Sequence, residues 1–174
     1  KGHDDLLVTS IFYTLQGEGP FAGRPAVFLR LAYCNLACSF CDTNFSYGDW
    51  MTRAQVIEAL QACVGKTLAR DFVLVVTGGE PMLQQEALHS LLVVAGGNFA
   101  AVQIESNGLL HAELPHSTHL VVSPKCAEDK GGPTKYLRPH PRMLDQARCL
   151  KFVVTHDAGS PYHTLPKWAD DWRL

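Results

Sequence analysis

The sequence predicts an α/β fold with a mostly parallel sheet, arranged as an open partial (β/α) barrel. Three observations predict it. The apolar runs are short, continuous and rich in β-branched residues, which suits strands covered on both faces. Amphipathic helical stretches separate the first three runs, giving βα alternation. Only about three helices are available, too few for a closed eightfold barrel.

The runs are "AVFLRLAY" (26–33), "FVLVVT" (72–77), "AAVQIES" (100–106), "HLVVS" (119–123) and "CLKFVV" (149–154). Between the first two lies "MTRAQVIEALQACVG". Thr52 and Gln55 form a capping box there, and Val56, Ile57, Leu60, Cys63 and Val64 recur on one helical face. The second helix, "LQQEALHSLLVVAGG", turns Leu88, Leu91, Leu92 and Ala95 inward and stops at Gly96-Gly97. The polar, Gly- and Pro-rich stretch 126–143 reads as a loop. The tail from Gly159 carries no clear pattern, and His156, Asp157 and His163 read as surface polar residues.

Bulk properties narrow the function. A chain of 174 residues is expected to form a single domain (1–174) with a real core, its C-terminal end read as either incomplete or a helical segment before a missing end. Charge is balanced, with a formal net of -2, so nothing marks a nucleic-acid partner or an acidic membrane. No apolar run reaches spanning length, and the start "KGHDDLLVTS" lacks the layout of an export signal. A cytoplasmic protein is the expectation, with its six cysteines reduced or bound to metal.

Three of those cysteines, Cys34, Cys38 and Cys41, crowd into "YCNLACSFCDT" directly after the first apolar run. A structural zinc site closes with four ligands, often as two pairs. Here no second pair exists, although Cys126 could complete a four-cysteine site in space. A redox C-x-x-C pair would leave Cys34 superfluous, and Cys63 sits on an apolar helical face as a small hydrophobe. Iron–sulfur clusters are usually held by four thiolates, so three would leave one iron with an open position, as a reactive metal site requires. On spacing alone a cluster is preferred to zinc. The second motif, "VVTGGEP" (75–81), falls at the C-terminal end of the next strand, where parallel sheets bind ligands. Alone it would be a strand-to-helix turn; with the cysteines it lines one end of the sheet.

C-x3-C-x2-C followed by G-G-E-P resembles the radical S-adenosylmethionine (SAM) superfamily. "IFYTLQGEGPFAGRPAVFLRLAYCNLACSFCDTNF" (11–45), "ESNG" (105–108) and "VSPK" (122–125) further resemble the 7-carboxy-7-deazaguanine synthase family, over about residues 8–155. The resemblance implies a shortened radical SAM core, a [4Fe-4S] cluster on Cys34, Cys38 and Cys41, SAM on the open iron, and Mg2+. It implies conversion of 6-carboxy-5,6,7,8-tetrahydropterin to 7-carboxy-7-deazaguanine in queuosine and deazapurine synthesis, with ring contraction and loss of ammonia. It also implies a homodimer and an electron donor such as flavodoxin or ferredoxin.

Carried over residue by residue, Leu15, Gln16, Gly17, Arg30 and Thr77 match the pterin site. Arg30 lies in an otherwise apolar strand; a structural ion pair is the ordinary explanation, and the substrate carboxylate is the alternative. Thr43 matches a Mg2+ ligand. Phe40, Cys41, Asp42, Gly79, Glu80, Ser123, Pro124 and Lys125 match positions that serve SAM. Glu18 divides evenly between the pterin site and a solvated turn, and Asn107 could also serve SAM, although an Asn-Gly turn explains it more simply. In the family a final strand and the chain end help to close the pocket, and no equivalent is visible after "KFVVTHDAG". Two rivals remain: a radical SAM activase that makes a glycyl radical on a partner enzyme, and a non-catalytic metal-binding module.

Overall fold

A computed structural model describes residues 2–65 and 67–172, so Arg173 and Leu174 of the tail lie outside the described residues. The strands are β1 (Leu6–Leu15), β2 (Pro25–Leu31), β3 (Asp49–Met51), β4 (Val73–Gly78), β5 (Ala101–Ser106), β6 (Thr118–Val122), β7 (Cys126–Asp129), β8 (Gly132–Tyr136) and β9 (Ala147–Leu150). The helices are α1 (Arg53–Val64), α2 (Gln85–Ala95) and α3 (Pro141–Gln146). Seven strands form one mixed sheet in the order β3-β1-β2-β4-β5-β6-β9, and β7 and β8 pair separately as a hairpin. From β2 to β9 the pairings are all parallel; β1 joins β2 and β3 antiparallel.

The helices α1 and α2 form for the reasons their sequences suggest. Thr52 accepts from the Gln55 amide and Gln55 returns a side-chain acceptor to the Thr52 N–H at 2.8 Å, so two orphan donors of α1 are satisfied. Val56, Leu60 and Val64 of α1 and Leu88, Leu91, Leu92 and Ala95 of α2 are buried, with Ile57 and Cys63 packed half-buried beside them. Each fully buried leucine contributes roughly 1.5–3 kcal/mol through area removed from water.

Strand parity then decides where function can sit. Successive strand residues point to opposite faces. Val27, Leu29 and Leu31 of β2, Leu74 and Val76 of β4, Val102 and Ile104 of β5, and Leu120 and Val122 of β6 share one core cluster with the helices. The alternate residues take the other face, where Ala26, Val73 and Val75 form a small cluster against Phe21 and Phe28. Farther along the strands that same parity presents Arg30, Thr77, Gln103 and Glu105. Arg30 and Thr77 are direct register partners.

Three expectations are corrected. The stretch 126–143, read as a loop, folds into the β7–β8 hairpin and α3. Its Gly131-Gly132-Pro133 segment is a hairpin turn and the start of β8, not a break in structure. The last sheet strand spans Ala147–Leu150, not 149–154, because 151–153 run past the sheet to line a cavity. Finally, β1 is a ten-residue strand that the apolar runs did not announce.

Candidate active site

At the C-terminal ends of the parallel strands lies a cavity of about 570 Å³. Its wall gathers residues from every parallel strand end but one loop dominates, the segment 33–45 that carries the cysteines. Tyr33, the single non-glycine residue with positive φ (67°) among the described residues, turns the chain out of β2. Its N–H donates to the Phe45 carbonyl at 2.7 Å, closing the base of the loop, and its own carbonyl accepts from the Glu80 N–H at 2.7 Å. The loop is therefore stitched to the turn after β4.

Gly78 and Gly79 make that stitch possible. Gly78 has φ of 142°, and the Gly79 N–H donates to the Leu31 carbonyl at 3.0 Å. A Cβ on Gly79 would fall on the Tyr33 carbonyl and 2.8 Å from the Cys34 nitrogen. The glycine pair thus lets β4 approach the root of the cysteine loop, a packing reason for a motif that a ligand alone need not explain.

Glu80 is fully buried beneath this turn. It accepts from the Met82 N–H (2.9 Å), the Ser106 hydroxyl (2.8 Å) and the Asn107 N–H (2.8 Å). Burial pushes its carboxyl above the usual range, while these donors and Lys125 pull it back. Its side chain joins the end of β4 to the end of β5 and is not on the cavity wall. Asn107 adds a second tie, donating from Nδ2 to Asn35 of the cysteine loop at 2.7 Å.

Cys34, Cys38, Phe40, Cys41, Asp42 and Thr43 line the cavity from the loop; Gln16, Gly17, Glu18, Arg30, Thr77, Gly79, Asn107, Ser123 and Lys125 line it from the strand ends. Of the sequence-predicted positions, Leu15, Glu80 and Pro124 are not on the wall: Leu15 is 60% exposed, and the other two are buried. Burial is the largest influence on the Cys34 and Cys38 thiols and raises both; Lys125 opposes it at Cys38. Cys126, the candidate fourth ligand, is fully buried and off the wall, with its own N–H donating to the Tyr162 hydroxyl at 2.7 Å. Among the described residues no three His, Cys, Asp or Glu side chains form a group that could hold a single metal ion.

Arg30, half-buried, makes no ion pair among the described residues, so a structural ion pair does not explain it. Its Nη1 donates to Thr43 Oγ1 at 2.9 Å, and its guanidinium lies 5.9 Å from the Phe12 ring centre. Thr43 in turn donates to Asp42 at 3.2 Å. Lys125 donates to the Ser123 carbonyl (2.7 Å) and hydroxyl (2.6 Å); burial first, then Lys151, lowers its pKa.

Two charged residues on the wall were missed in the sequence. Glu105 accepts from Gln16 Nε2 at 3.1 Å, Gln103 Nε2 at 2.9 Å and Lys151 Nζ at 3.0 Å, and Lys151 also reaches Glu18 at 2.5 Å. Burial alone would lower the Lys151 pKa, but Glu105 and Glu18 outweigh it and raise it. Both residues carried the signal that singled out Arg30, a charge inside an apolar run. Glu18 is thereby placed at the cavity and not in a merely solvated turn.

Comparison with known proteins agrees with this geometry. A family model described as a 4Fe-4S single cluster domain matches residues 15–124. The 7-carboxy-7-deazaguanine synthase of Rickettsia prowazekii is 38% identical over 164 residues, covering 93% of this chain and 67% of that protein. The chain belongs to the 7-carboxy-7-deazaguanine synthase family. The Rhodospirillum rubrum synthase is 36% identical, with 94% of this chain and 64% of the relative covered, so the chain spans about two thirds of these relatives' length. The crystal structure of QueE from Escherichia coli matches with a TM-score of 0.68 at 25% identity, covering 87% of this chain and 72% of that one.

The residues present fit the iron–sulfur centre that the matched family model describes. Three free thiols on one loop line one cavity, and the remaining cysteines, Cys63, Cys126 and Cys149, are not on its wall. That donor set suits a cluster with one iron left open and does not supply a closed four-ligand zinc site.

Proposed function

We propose that the chain converts 6-carboxy-5,6,7,8-tetrahydropterin to 7-carboxy-7-deazaguanine, using a [4Fe-4S] cluster held by Cys34, Cys38 and Cys41 together with SAM. The observation that carries this reading is the union, in one cavity, of the three-thiol loop with a polar set on the helix-free face of the sheet. That cavity lies within the range of small-molecule sites, roughly 300–1,000 Å³.

Bound cluster and SAM would supply hydrogen-atom abstraction from the substrate. The chain's own residues do the rest. Arg30, free of any carboxylate among the described residues, offers a planar fork for the substrate carboxylate. Gln16 and Glu105 present an amide and a carboxylate to the edge of a pterin ring, and Lys151 holds Glu105 in place. Gly17 and Thr77 complete that wall. Phe40, Asp42, Gly79, Ser123 and Lys125 take SAM; Glu80, off the wall, supports them from beneath by holding Ser106 and Asn107. Leu15 and Pro124, off the wall, act as flanking support.

Thr43 is the proposed Mg2+ ligand, with waters and substrate oxygens filling the shell. In the described structure its hydroxyl accepts from Arg30. Substrate binding would draw Arg30 onto the carboxylate and release the oxygen for the cation. A homodimer and a flavodoxin- or ferredoxin-like electron donor complete the proposal.

The test is anaerobic turnover of reconstituted protein with dithionite, SAM, Mg2+ and 6-carboxytetrahydropterin, read by mass spectrometry. The carboxydeazaguanine is the expected product. 5′-Deoxyadenosine without that product would keep the radical SAM core and overturn the substrate.

A further inference from the structure

The hairpin β7–β8 stands apart from the main sheet and contributes no residue to the cavity wall, Lys125 on that wall lying just before it. It nevertheless reaches the cysteine loop at the two residues between Cys38 and Cys41. Glu128 of β7 accepts from both the Ser39 N–H, at 3.2 Å, and the Ser39 hydroxyl, at 3.3 Å. Phe40 meets the edge of Tyr162, with ring centres 5.2 Å apart at 88°. Tyr162 is buried, anchors the start of β7 through its hydroxyl, and packs edge-on against Tyr136 of β8 at 5.5 Å. Tyr136 continues to Phe152, and Phe152 to Trp168.

We propose that this hairpin and Tyr162 form a bracket that positions the C-x-x-C segment, with Glu128 holding Ser39 and Tyr162 holding Phe40. The proposal rests on the cluster reading above. The physical need for a bracket is plain. The loop's root is fixed at Tyr33 and Phe45, but Ser39, Phe40 and Cys41 are exposed and belong to no helix or strand. Three thiolates can share one cluster only if their separation is set, and supporting contacts outside the ligand set commonly do this. A charge-assisted bond to a main-chain N–H fixes the backbone between two ligands, and an edge-to-face ring contact fixes the side chain next to the second.

Glu128 has a second consequence. Its carboxylate is bonded to Ser39, the residue directly after Cys38. A negative charge beside a cluster disfavours the added electron, and cluster potentials respond to local charge and hydrogen bonding. Glu128 therefore lowers the potential of the cluster as well as placing its ligands. Glu128 and Tyr162 are positioning residues; neither touches the cavity.

Two readouts test the bracket, one of them independent of any cluster. In the metal-free full chain, amide hydrogen exchange across residues 36–44 should accelerate about three- to tenfold in Glu128→Ala, the factor for losing one partly exposed charge-assisted bond. Glu128→Gln, whose amide oxygen still accepts, should restore the wild-type rate. Phe40→Ala, an exposed position, should accelerate the same segment from the other side. In the reconstituted protein, Glu128→Gln should keep its iron but show a raised midpoint potential in an EPR-monitored titration. Glu128→Ala should bind less iron. Exchange in Glu128→Ala within a factor of about two of wild type would overturn the bracket. So would a Glu128→Ala cluster with the wild-type EPR line shape and midpoint. Failure of the wild-type chain to take up any cluster would strike the functional reading instead, leaving the exchange result to judge the bracket.

Discussion

Replacing Gly79 by alanine puts one methyl group where the structure has none to give. The added carbon would overlap the Tyr33 carbonyl and approach Cys34 N to 2.8 Å, and both obstacles are backbone. Relief requires the turn after β4 to withdraw from the root of the cysteine loop. Overpacking of this kind costs about 1–3 kcal/mol. Withdrawal also weakens two main-chain bonds, Gly79 N–H to Leu31 and Glu80 N–H to Tyr33, at 3.0 and 2.7 Å. Each contributes about 1 kcal/mol. The sum, about 3–5 kcal/mol, is a large share of the 5–15 kcal/mol typical of a domain. At 2–4 °C per kcal/mol for a chain of this size it corresponds to a fall in Tm of roughly 6–20 °C. Gly17 is the internal control. It lines the same cavity, but a Cβ there meets nothing within 4 Å, so Gly17→Ala should melt within about 2 °C of wild type. The assay is thermal unfolding of the metal-free protein by circular dichroism, which separates packing from cofactor loss. A Gly79→Ala protein that melts alongside Gly17→Ala would refute the reasoning and return the motif to a purely ligand-binding role.

Other outcomes follow from the site. Arg30→Lys keeps the charge but loses the planar fork, so KM for the carboxypterin should rise at least about tenfold while Tm stays within a few degrees; an unchanged KM would remove Arg30 from the substrate. Lys151 has its folded-state pKa raised by Glu105 and Glu18. Its contribution is therefore complete below the ordinary value of 10.5 and lost as pH rises through the folded value. Urea unfolding of wild type and Lys151→Met should thus differ at pH 8, with the gap narrowing once pH exceeds 10.5, and a constant gap would contradict the pairing. Because Arg30 occupies the Thr43 hydroxyl, Mg2+ should bind measurably by calorimetry only after a carboxypterin is present, and equal binding without it would exclude the exchange.

The fold was legible where one local pattern decides it. The parallel strands β2, β4, β5 and β6 are short β-branched runs, and α1 announces itself by its capping box. β1 escaped because its ten residues are buried only at the start and half-covered afterwards, so "LLVTSIFYTL" shows neither a steady run nor clean alternation. The β7–β8 hairpin escaped because glycines and a proline read as loop, while what holds it, Tyr162, is contributed from 36 residues beyond Cys126. The cavity was legible through its two motifs and the family pattern, which placed the cysteines, Arg30, Gln16 and Thr77. The contact between Lys151 and Glu18 spans 133 positions, and no local pattern encodes it. Parity supplied what apolarity hid: Arg30, Thr77 and Glu105 occupy the one strand face that the helices leave uncovered.

The most direct test of the central claim, that the three-thiol loop carries a cluster with one open iron beside the SAM wall, is EPR spectroscopy of the reconstituted, dithionite-reduced protein with and without SAM. The account predicts a reduced-cluster signal that changes when SAM is added and is absent from Cys38→Ala. A signal indifferent to SAM, or a full-length protein that takes up zinc and no reducible iron, would contradict it.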